Sequence, residues 1–311
     1  MQYRELGKTG MKVSALGFGA SSLGSVFHET KEQQSIEAVL AAVEGGINLI
    51  DVSPYYGYYK AETVLGKALP LIPRNKYFLT TKVGRYGVDG HNTWDYSAKR
   101  AKESVYESLE RLHVDYIDVI QVHDIEFQSH LPGGLQKVVD ETLPALHEGV
   151  VRHVGITDLQ LANLRWVVEH VEDGTVETVL NFCHYCLSDD ALADELDFYE
   201  QHGIGVINAS PFAMGLLTSR GVPDWHPAPK PLVAACAKAA QYCAEHHEPI
   251  ERVALQYSIS NPRIASTLFS SANPDNVKRN IEWANAEPDS KLAKAVQDLI
   301  GDQRRVTWEN T

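Results

Sequence analysis

The sequence predicts an α/β fold of the (β/α)8 TIM barrel class, carrying an N-terminal β-hairpin and extra helices. Three observations carry that reading. Short apolar runs begin near residues 15, 47, 77, 115, 151, 176, 204 and 264, and most gaps lie near or somewhat above the length of a strand–helix–strand unit, about 30 residues. Helical patterns fill the gaps, and strand then helix, repeated, is the mark of a parallel sheet covered by helices. The glycine fingerprint of an open dinucleotide-binding sheet is incomplete: Gly17-Phe18-Gly19 lacks its third glycine.

Met1–Val13 reads as a hairpin around Lys8, Thr9 and Gly10, placed to close the bottom of the barrel. Thr30 and Gln33 form a capping box ahead of Ile36, Val39, Leu40 and Val43 at helical spacing, and Gly45 and Gly46 end that helix. A second helix runs from Ser97 to Leu112, with Ala101, Val105, Leu109 and Leu112 facing inward. A third starts at Ser188, whose hydroxyl caps it beside Asp189 and Asp190. Pro223, Pro227, Pro229 and Pro231 mark a long loop before a helix over Leu232–His246, and Pro288 introduces a terminal helix carrying Leu292, Val296 and Leu299. With no boundary or repeat of independent modules, one domain over residues 1–311 is expected.

Composition narrows the function. A net charge of −13 argues against non-specific nucleic-acid binding, which needs a basic face. No apolar stretch reaches the length of a membrane span and no signal peptide is apparent, so a cytoplasmic protein without a membrane partner is expected, as a monomer or small homo-oligomer. Four cysteines are too few for a disulfide scaffold. Cys183 and Cys186 form a C-x-x-C, but Cys236 and Cys243 are too widely spaced to complete a zinc site; reduced thiols and no metal are expected.

The chemistry sits in Asp51, Tyr56, Lys82 and His123. They fall where the runs Ile47–Val52, Tyr77–Thr81 and Tyr116–Val122 end, and the carboxyl ends of the strands are where such a barrel builds its active site. A tyrosine is a poor acid or base at neutral pH, with a pKa near about 10. A neighbouring ammonium, Lys82, lowers that value, and Asp51 holds the ammonium in place. His123 orients a substrate oxygen while Tyr56 gives or takes its proton. Each residue alone has a plain structural reading; four compatible residues at three strand ends make a rarer coincidence.

The segments Asp51–Gly57, Thr81–Gly84 and Gln121–Asp124 resemble the tetrad motifs of the aldo-keto reductases, and Gly155–Asp158 stands where that family has a glycine–serine–asparagine segment. The resemblance runs over almost the whole chain. It implies a barrel that binds a nicotinamide cofactor without a Rossmann domain and transfers hydride at the carbon whose oxygen Tyr56 and His123 hold. It also assigns cofactor contacts: Thr157, Asp158 and Asn181 at the carboxamide, Ser210 with Phe212, Gly215 and Leu216 in the pyrophosphate loop, and Ser270, Ser271, Asn276 and Asn280 in the loop and helix after the last strand. NADP-dependent members carry lysine and arginine where this chain has Ser270 and Asn276. Each missing cation removes a charge-assisted hydrogen bond worth about 1.5–3 kcal/mol, which favours NAD over NADP, although Lys278 and Arg279 lie close by.

Within the family, Gly17–Gly24, His123–Phe127, Cys183–Tyr185, Trp225–Pro227 and Ala254–Ser258 resemble members that oxidise L-galactose, L-fucose or pyridoxal. That subgroup implies oxidation of the C1 hydroxyl of an L-aldose, L-galactose first, to the lactone. It offers Asp124, His184, Tyr185, Trp225 and His226 as substrate contacts, with Trp94 as a further candidate. The segment Gln128–Gly134 is longer than in the plant members and lies close to His123. The alternatives are an L-fucose or pyridoxal dehydrogenase, a general NADPH-dependent aldehyde reductase, and a non-catalytic redox-sensing subunit.

Overall fold

Parallel strands buried on both faces need continuous apolar runs, and each expected run is a strand. In a computed structural model that describes residues 1–88 and 90–308, β1 (Tyr3–Glu5) and β2 (Lys12–Ser14) pair antiparallel ahead of the barrel. Then come β3 (Leu16–Gly19), β4 (Leu49–Asp51) and β5 (Phe78–Val83), a hairpin of β6 (Arg85–Val88) and β7 (His91–Trp94), and β8 (Ile117–Val122), β9 (Val151–Asp158), β10 (Thr178–Phe182), β11 (Gly205–Ala209) and β12 (Ser266–Ser270). The barrel closes in the order β3-β4-β5-β8-β9-β10-β11-β12, with β12 pairing back onto β3. The last residues of the expected 1–311 unit, 309–311, lie outside the described residues.

Side-chain alternation decides what faces the barrel axis. Thr81 on β5 points outward, its hydroxyl donating to Glu62 at 2.7 Å on the helix Lys60–Ala68. Glu62 is in turn paired with Arg111 at 2.7 Å. Thr80 and Lys82, its neighbours, therefore point inward. At the opposite end of the barrel, Leu6, Met11 and Val13 pack with Leu49, Val119, Leu180, Ile207 and Leu268. The hairpin is thus the expected plug. Arg4 fastens it by donating to the carbonyls of Ile259, Asn261 and Ile264 at 2.7, 2.8 and 2.7 Å.

Helix starts were harder to read. Ser97 caps the helix Ala98–Leu112 as expected, accepting from the Arg100 N–H at 3.3 Å. Thr30 does not cap the first helix, Glu32–Glu44; its hydroxyl lies 2.8 Å from Ser25 Oγ, which also accepts the Thr30 N–H. Ser188 does not cap the third either. It bonds Cys186 Sγ, Asp189 Oδ1 takes the Ala191 N–H at 2.8 Å, and the helix proper spans Leu196–His202. In both cases a competing side-chain bond captured the hydroxyl. The β6–β7 hairpin was not anticipated. The long loop ends in the helix Lys230–Glu245, and the terminal helix is Ser290–Ile300. Residues 126–142 form short helices, Glu126–Ser129 and Gly134–Lys137, followed by a π-helical turn, Val138–Thr142. The four cysteines are buried free thiols. Among the described residues, no helix is long and apolar enough to cross a membrane.

Leu6 is fully buried, so Leu6→Ala should destabilise the fold by about 2–5 kcal/mol. A fall in the thermal midpoint followed by circular dichroism would show it; an unchanged midpoint would mean that the hairpin does not plug the barrel.

Candidate active site

Asp51 ends β4, opposite Thr80 in the parallel ladder, and Lys82, two residues further along, is the penultimate residue of β5. Lys82 Nζ lies 2.5 Å from Asp51 Oδ1 and donates to the Val52 carbonyl at 2.8 Å; Thr80 donates to the other Asp51 oxygen at 2.5 Å. Both charges are almost wholly buried, and such a pair persists only when its remaining donors and acceptors are met. The turn after β4 then lifts Tyr56 over the pair, with Lys82 Nζ 5.1 Å from the centre of its ring. His123 follows β8 and stands edge-on to Tyr56, ring centres 5.6 Å apart. The structure brings the four residues together.

Close backbone packing sets the height of Tyr56. Gly57 has a φ of +62°, and a Cβ placed on it would stand 2.0 Å from the Gly24 carbonyl oxygen. A Cβ on Gly24 would meet the Tyr56 carbonyl oxygen at 2.5 Å. The loops after β3 and β4 therefore press against each other through two glycines that no side chain could replace without moving Tyr56.

Charges in the cleft are set by burial. Burial, with Lys82 and Arg85 and against Asp124, pushes His123 down to about 3, so the imidazole is neutral. The Ser53 hydroxyl accepts the Tyr55 N–H at 3.1 Å and lies 2.9 Å from His123 Nδ1. A Ser53 hydroxyl that donates its hydrogen bond to Nδ1 leaves the imidazole proton on Nε2, 3.5 Å from Asp124 Oδ2. His123 is thus a neutral donor. Tyr56 differs from expectation. Burial first, then the charges of Asp51 and Asp124, hold its phenol well above its ordinary value, against Arg85. The Lys82 ammonium is bonded to Asp51 and the Val52 carbonyl, and the net shift of the phenol is upward.

The remaining expected contacts fall into two groups. Asp124 lines the site but is committed: Oδ2 lies 2.5 Å from Arg85 Nη1, and Oδ1 accepts from Thr157 Oγ1 at 3.1 Å. Trp225 is half-exposed and stacks on Phe27, ring centres 6.3 Å apart, bridging the loops after β3 and β11. The other group turns away. Cys183, at φ +66°, redirects the chain so that Tyr185 stacks on Tyr257 behind the sheet, ring centres 5.4 Å apart. It is a packing residue rather than a substrate contact. His226 spends both ring nitrogens on its own loop, Nε2 on the Ala213 carbonyl at 3.1 Å and Nδ1 on the Ala228 N–H at 3.0 Å, which leaves neither for a substrate. His184 is held by Asp189 at 2.9 Å. Trp94, by contrast, stays at the mouth, packed on Phe127 and paired with Arg85 in the β6–β7 hairpin.

Of the expected cofactor contacts, Thr157 is engaged with Asp124, whose N–H its hydroxyl accepts at 2.9 Å. Asp158 faces the helix Leu161–Glu169, accepting from the Gln160 N–H at 2.7 Å and Asn163 Nδ2 at 3.0 Å, so its side chain is not directed at a carboxamide. Burial and its neighbour Glu126 hold it well above the usual carboxylate range. Asn181 donates to the carbonyls of Asp158 and Leu159 at 2.8 and 2.9 Å, while its buried Oδ1 has no partner among the described residues. That orphaned acceptor fits an amide N–H of a bound ligand. Ser210, Ala213, Met214 and Gly215 all have positive φ, so the loop carrying Phe212 and Leu216 is sharply bent. Ser270 Oγ lies 2.8 Å from Ser22 Oγ and accepts the Ser22 N–H, Ser271 Oγ takes the Asn273 N–H, and Asn280 is buried. Asn276 accepts from Arg279 at 2.7 Å, and that guanidinium also covers Trp283. Sequence reasoning missed Ser53, Thr80 and Arg85. Their only signal was position, inside or beside the motifs at the strand ends.

A chain with this fold and this arrangement of proton donors falls in the class of barrel oxidoreductases. Residues 15–300 match the model of the Aldo/keto reductase family, and the chain belongs to that family, whose members work with a nicotinamide cofactor. It is 42% identical to L-galactose dehydrogenase of Arabidopsis thaliana over 99% of this chain and 97% of that protein. It is 33% identical to D-arabinose 1-dehydrogenase of Saccharomyces cerevisiae over 80% and 76% of the two chains. The solved holo form of an aldo-keto reductase from Bacillus halodurans superposes with a TM-score of 0.79 at 26% identity, covering 100% of this chain and 99% of that one.

Gly57→Ala should displace Tyr56 and cut turnover about a hundredfold, the scale of an ångström-sized misplacement, in a barrel that remains folded by circular dichroism. Turnover near that of the unaltered chain would show that the two-glycine contact does not position Tyr56.

Proposed function

We propose that this chain is an NAD-dependent aldose 1-dehydrogenase that oxidises the C1 hydroxyl of an L-sugar, L-galactose first, to the lactone. The observation that carries the reading is Tyr56 and neutral His123 meeting edge to face beside the buried Asp51–Lys82 pair at the carboxyl ends of the strands. Near-full-length similarity to L-galactose dehydrogenase supports the substrate class.

His123 Nε2–H donates to the substrate oxygen and fixes its position. Tyr56 exchanges the proton on that oxygen, taking it in oxidation and returning it in reduction. Lys82 and Asp51, together neutral, hold Tyr56 at the right height and give the proton relay a fixed electrostatic floor. The bound nicotinamide supplies the hydride acceptor. Asn181 Oδ1, buried without a partner among the described residues, would accept from its amide, and the loops carrying Ser210, Ser270, Ser271 and Asn280 would hold the rest. Ser270 and Asn276 are neutral and already bonded within the protein, which supports NAD, since nothing at those two positions would offset the charge of a 2′-phosphate on the adenosine ribose.

Oxidation of L-galactose with NAD+, followed by nicotinamide absorbance, should exceed that with NADP+ by at least about tenfold, with L-fucose slower and pyridoxal inert. No turnover of any aldose, with reduction of aldehydes by NADPH instead, would replace this reading with the aldehyde reductase. The double variant Ser270→Lys/Asn276→Arg should move the preference towards NADP+ by about a hundredfold or more, the worth of two charge-assisted hydrogen bonds.

The pH dependence follows from the direction of the shifts. Tyr56 keeps its proton at neutral pH because its pKa is raised. Oxidation needs the deprotonated phenol, so kcat/KM for oxidation should climb as pH rises into the alkaline range, while kcat/KM for reduction holds through neutrality. His123, down at about 3, should add no limb between pH 5 and 8, the range where an unshifted histidine changes charge. A bell centred near neutrality in both directions would contradict these assignments.

A further inference from the structure

Tyr56 and His123 must meet one substrate oxygen, yet they follow strands that do not pair. β5 lies between β4 and β8 in the barrel, so the ladder alone does not set their spacing. The hairpin β6–β7 leaves from the end of β5 and is bonded to both neighbours. At its root, Arg85 donates to Asp124 at 2.5 Å. Tyr96, two residues past β7, donates to the carbonyls of His123 and Asp124 at 2.7 and 2.8 Å. At its turn, the hairpin is held by Tyr58, two residues after Tyr56, whose phenol donates to the Gly90 carbonyl at 2.9 Å.

The ring of Tyr58 occupies the place of a side chain at Gly87. A Cβ on Gly87 would stand 1.6 Å from Tyr58 Cδ1. Gly87 lies within β6, opposite Asn92, and its φ is not positive. The backbone there does not call for glycine; the close approach of the ring does. Tyr58 has a φ of +51° and Tyr59 one of +73°. Residues with a side chain rarely adopt that left-handed region, and they persist there only where the surroundings hold them. Tyr59 is held at the start of the helix Lys60–Ala68, its ring 4.7 Å beneath the Arg111 guanidinium. Tyr58 is 39% exposed, and what holds it is the hairpin. Gly57, between Tyr56 and Tyr58, presses on Gly24. The turn that carries Tyr56 is therefore gripped on two sides, by the loop after β3 and by the hairpin.

We propose that the hairpin β6–β7 sets the spacing between Tyr56 and His123, and that Tyr58, seated against Gly87, is the positioning residue through which it acts. The proposal rests on the oxidoreductase reading of those two groups and deepens it. The Tyr58 ring fixes the turn after β4 to the hairpin, and Arg85 and Tyr96 fix the hairpin to the segment after β8. Proton exchange on an oxygen held by both groups tolerates little error in their spacing.

The test compares Tyr58→Gly, Tyr58→Phe and Gly87→Ala with the unaltered enzyme, folding being checked by circular dichroism. Glycine suits the left-handed backbone but removes the ring; alanine at position 87 drives the ring out from the opposite side. Each should cut kcat by about ten- to a hundredfold, the scale of an ångström-sized misplacement, with KM for the nicotinamide unchanged. Phenylalanine keeps the ring, so turnover should return to within about threefold of the unaltered enzyme, the worth of one hydrogen bond. The double variant Tyr58→Gly/Gly87→Ala should be no slower than the slower single, because both remove the same contact. Full turnover in Tyr58→Gly and Gly87→Ala would reduce the contact to surface packing and overturn the proposal. So would a phenylalanine variant as slow as the glycine one, or losses that multiply in the double variant. Rates are read with the L-aldose and NAD+ and with a small aldehyde and NADPH. Failure of aldose oxidation alone sinks the sugar reading and leaves the comparison standing on the aldehyde. No turnover with either pair ends the oxidoreductase reading and this proposal with it.

Discussion

The ion pair between Lys82 and Asp51 is the constraint on which this site depends. Two charges out of water are costly, and their attraction repays the cost only with good geometry and every remaining donor and acceptor met. The barrel meets those terms with a Val52 carbonyl, a Thr80 hydroxyl and the fixed register of two parallel strands. The pair in turn holds the mouth of β4 and β5 in one arrangement, and Tyr56 stands on it. Because burial, with the charges of Asp51 and Asp124, holds its pKa up, the phenol above keeps its proton at neutral pH.

A second buried pair, Arg85 with Asp124, repeats the logic on the far side of His123. The imidazole lies between two ion pairs that each sum to zero. It gains little from ionising and loses much, so it stays neutral and donates. The cleft as a whole is polar without carrying a large net charge. Such a site suits a substrate that brings several hydroxyl groups and no charge, and the rings of Tyr55 and Phe127, which lie against the Arg85 guanidinium, give it an apolar wall.

Strand positions were legible in the sequence because a strand covered on both faces must be apolar throughout, and the eight runs start within two residues of the observed strands. The tetrad was legible because those runs end in polar residues, and the ends of parallel strands share one face of the barrel. Directions of side chains beyond the strand ends were not. Tyr185 and His226 lie in segments that look like substrate loops, yet a left-handed residue at Cys183 turns one inward and two backbone groups claim the other. The hairpin β6–β7 carries no run of apolar residues, since it lies over the barrel mouth rather than in its wall. Thr30 and Ser188 matched capping patterns, but bonds to Ser25 and Cys186 took their hydroxyls first.

By itself, then, the sequence determined the barrel, its plug and the chemical kind of residue at each strand end, because burial and strand alternation are local demands that residue types must satisfy one by one. Only the tertiary structure decided which charges cancel. Whether Lys82 serves Tyr56 or Asp51, and whether Arg85 is free or paired, depends on distances of a few ångströms between segments far apart in the chain. Electrostatic energies in a buried cleft turn on those distances and on the exclusion of water, and neither is written in the order of the residues.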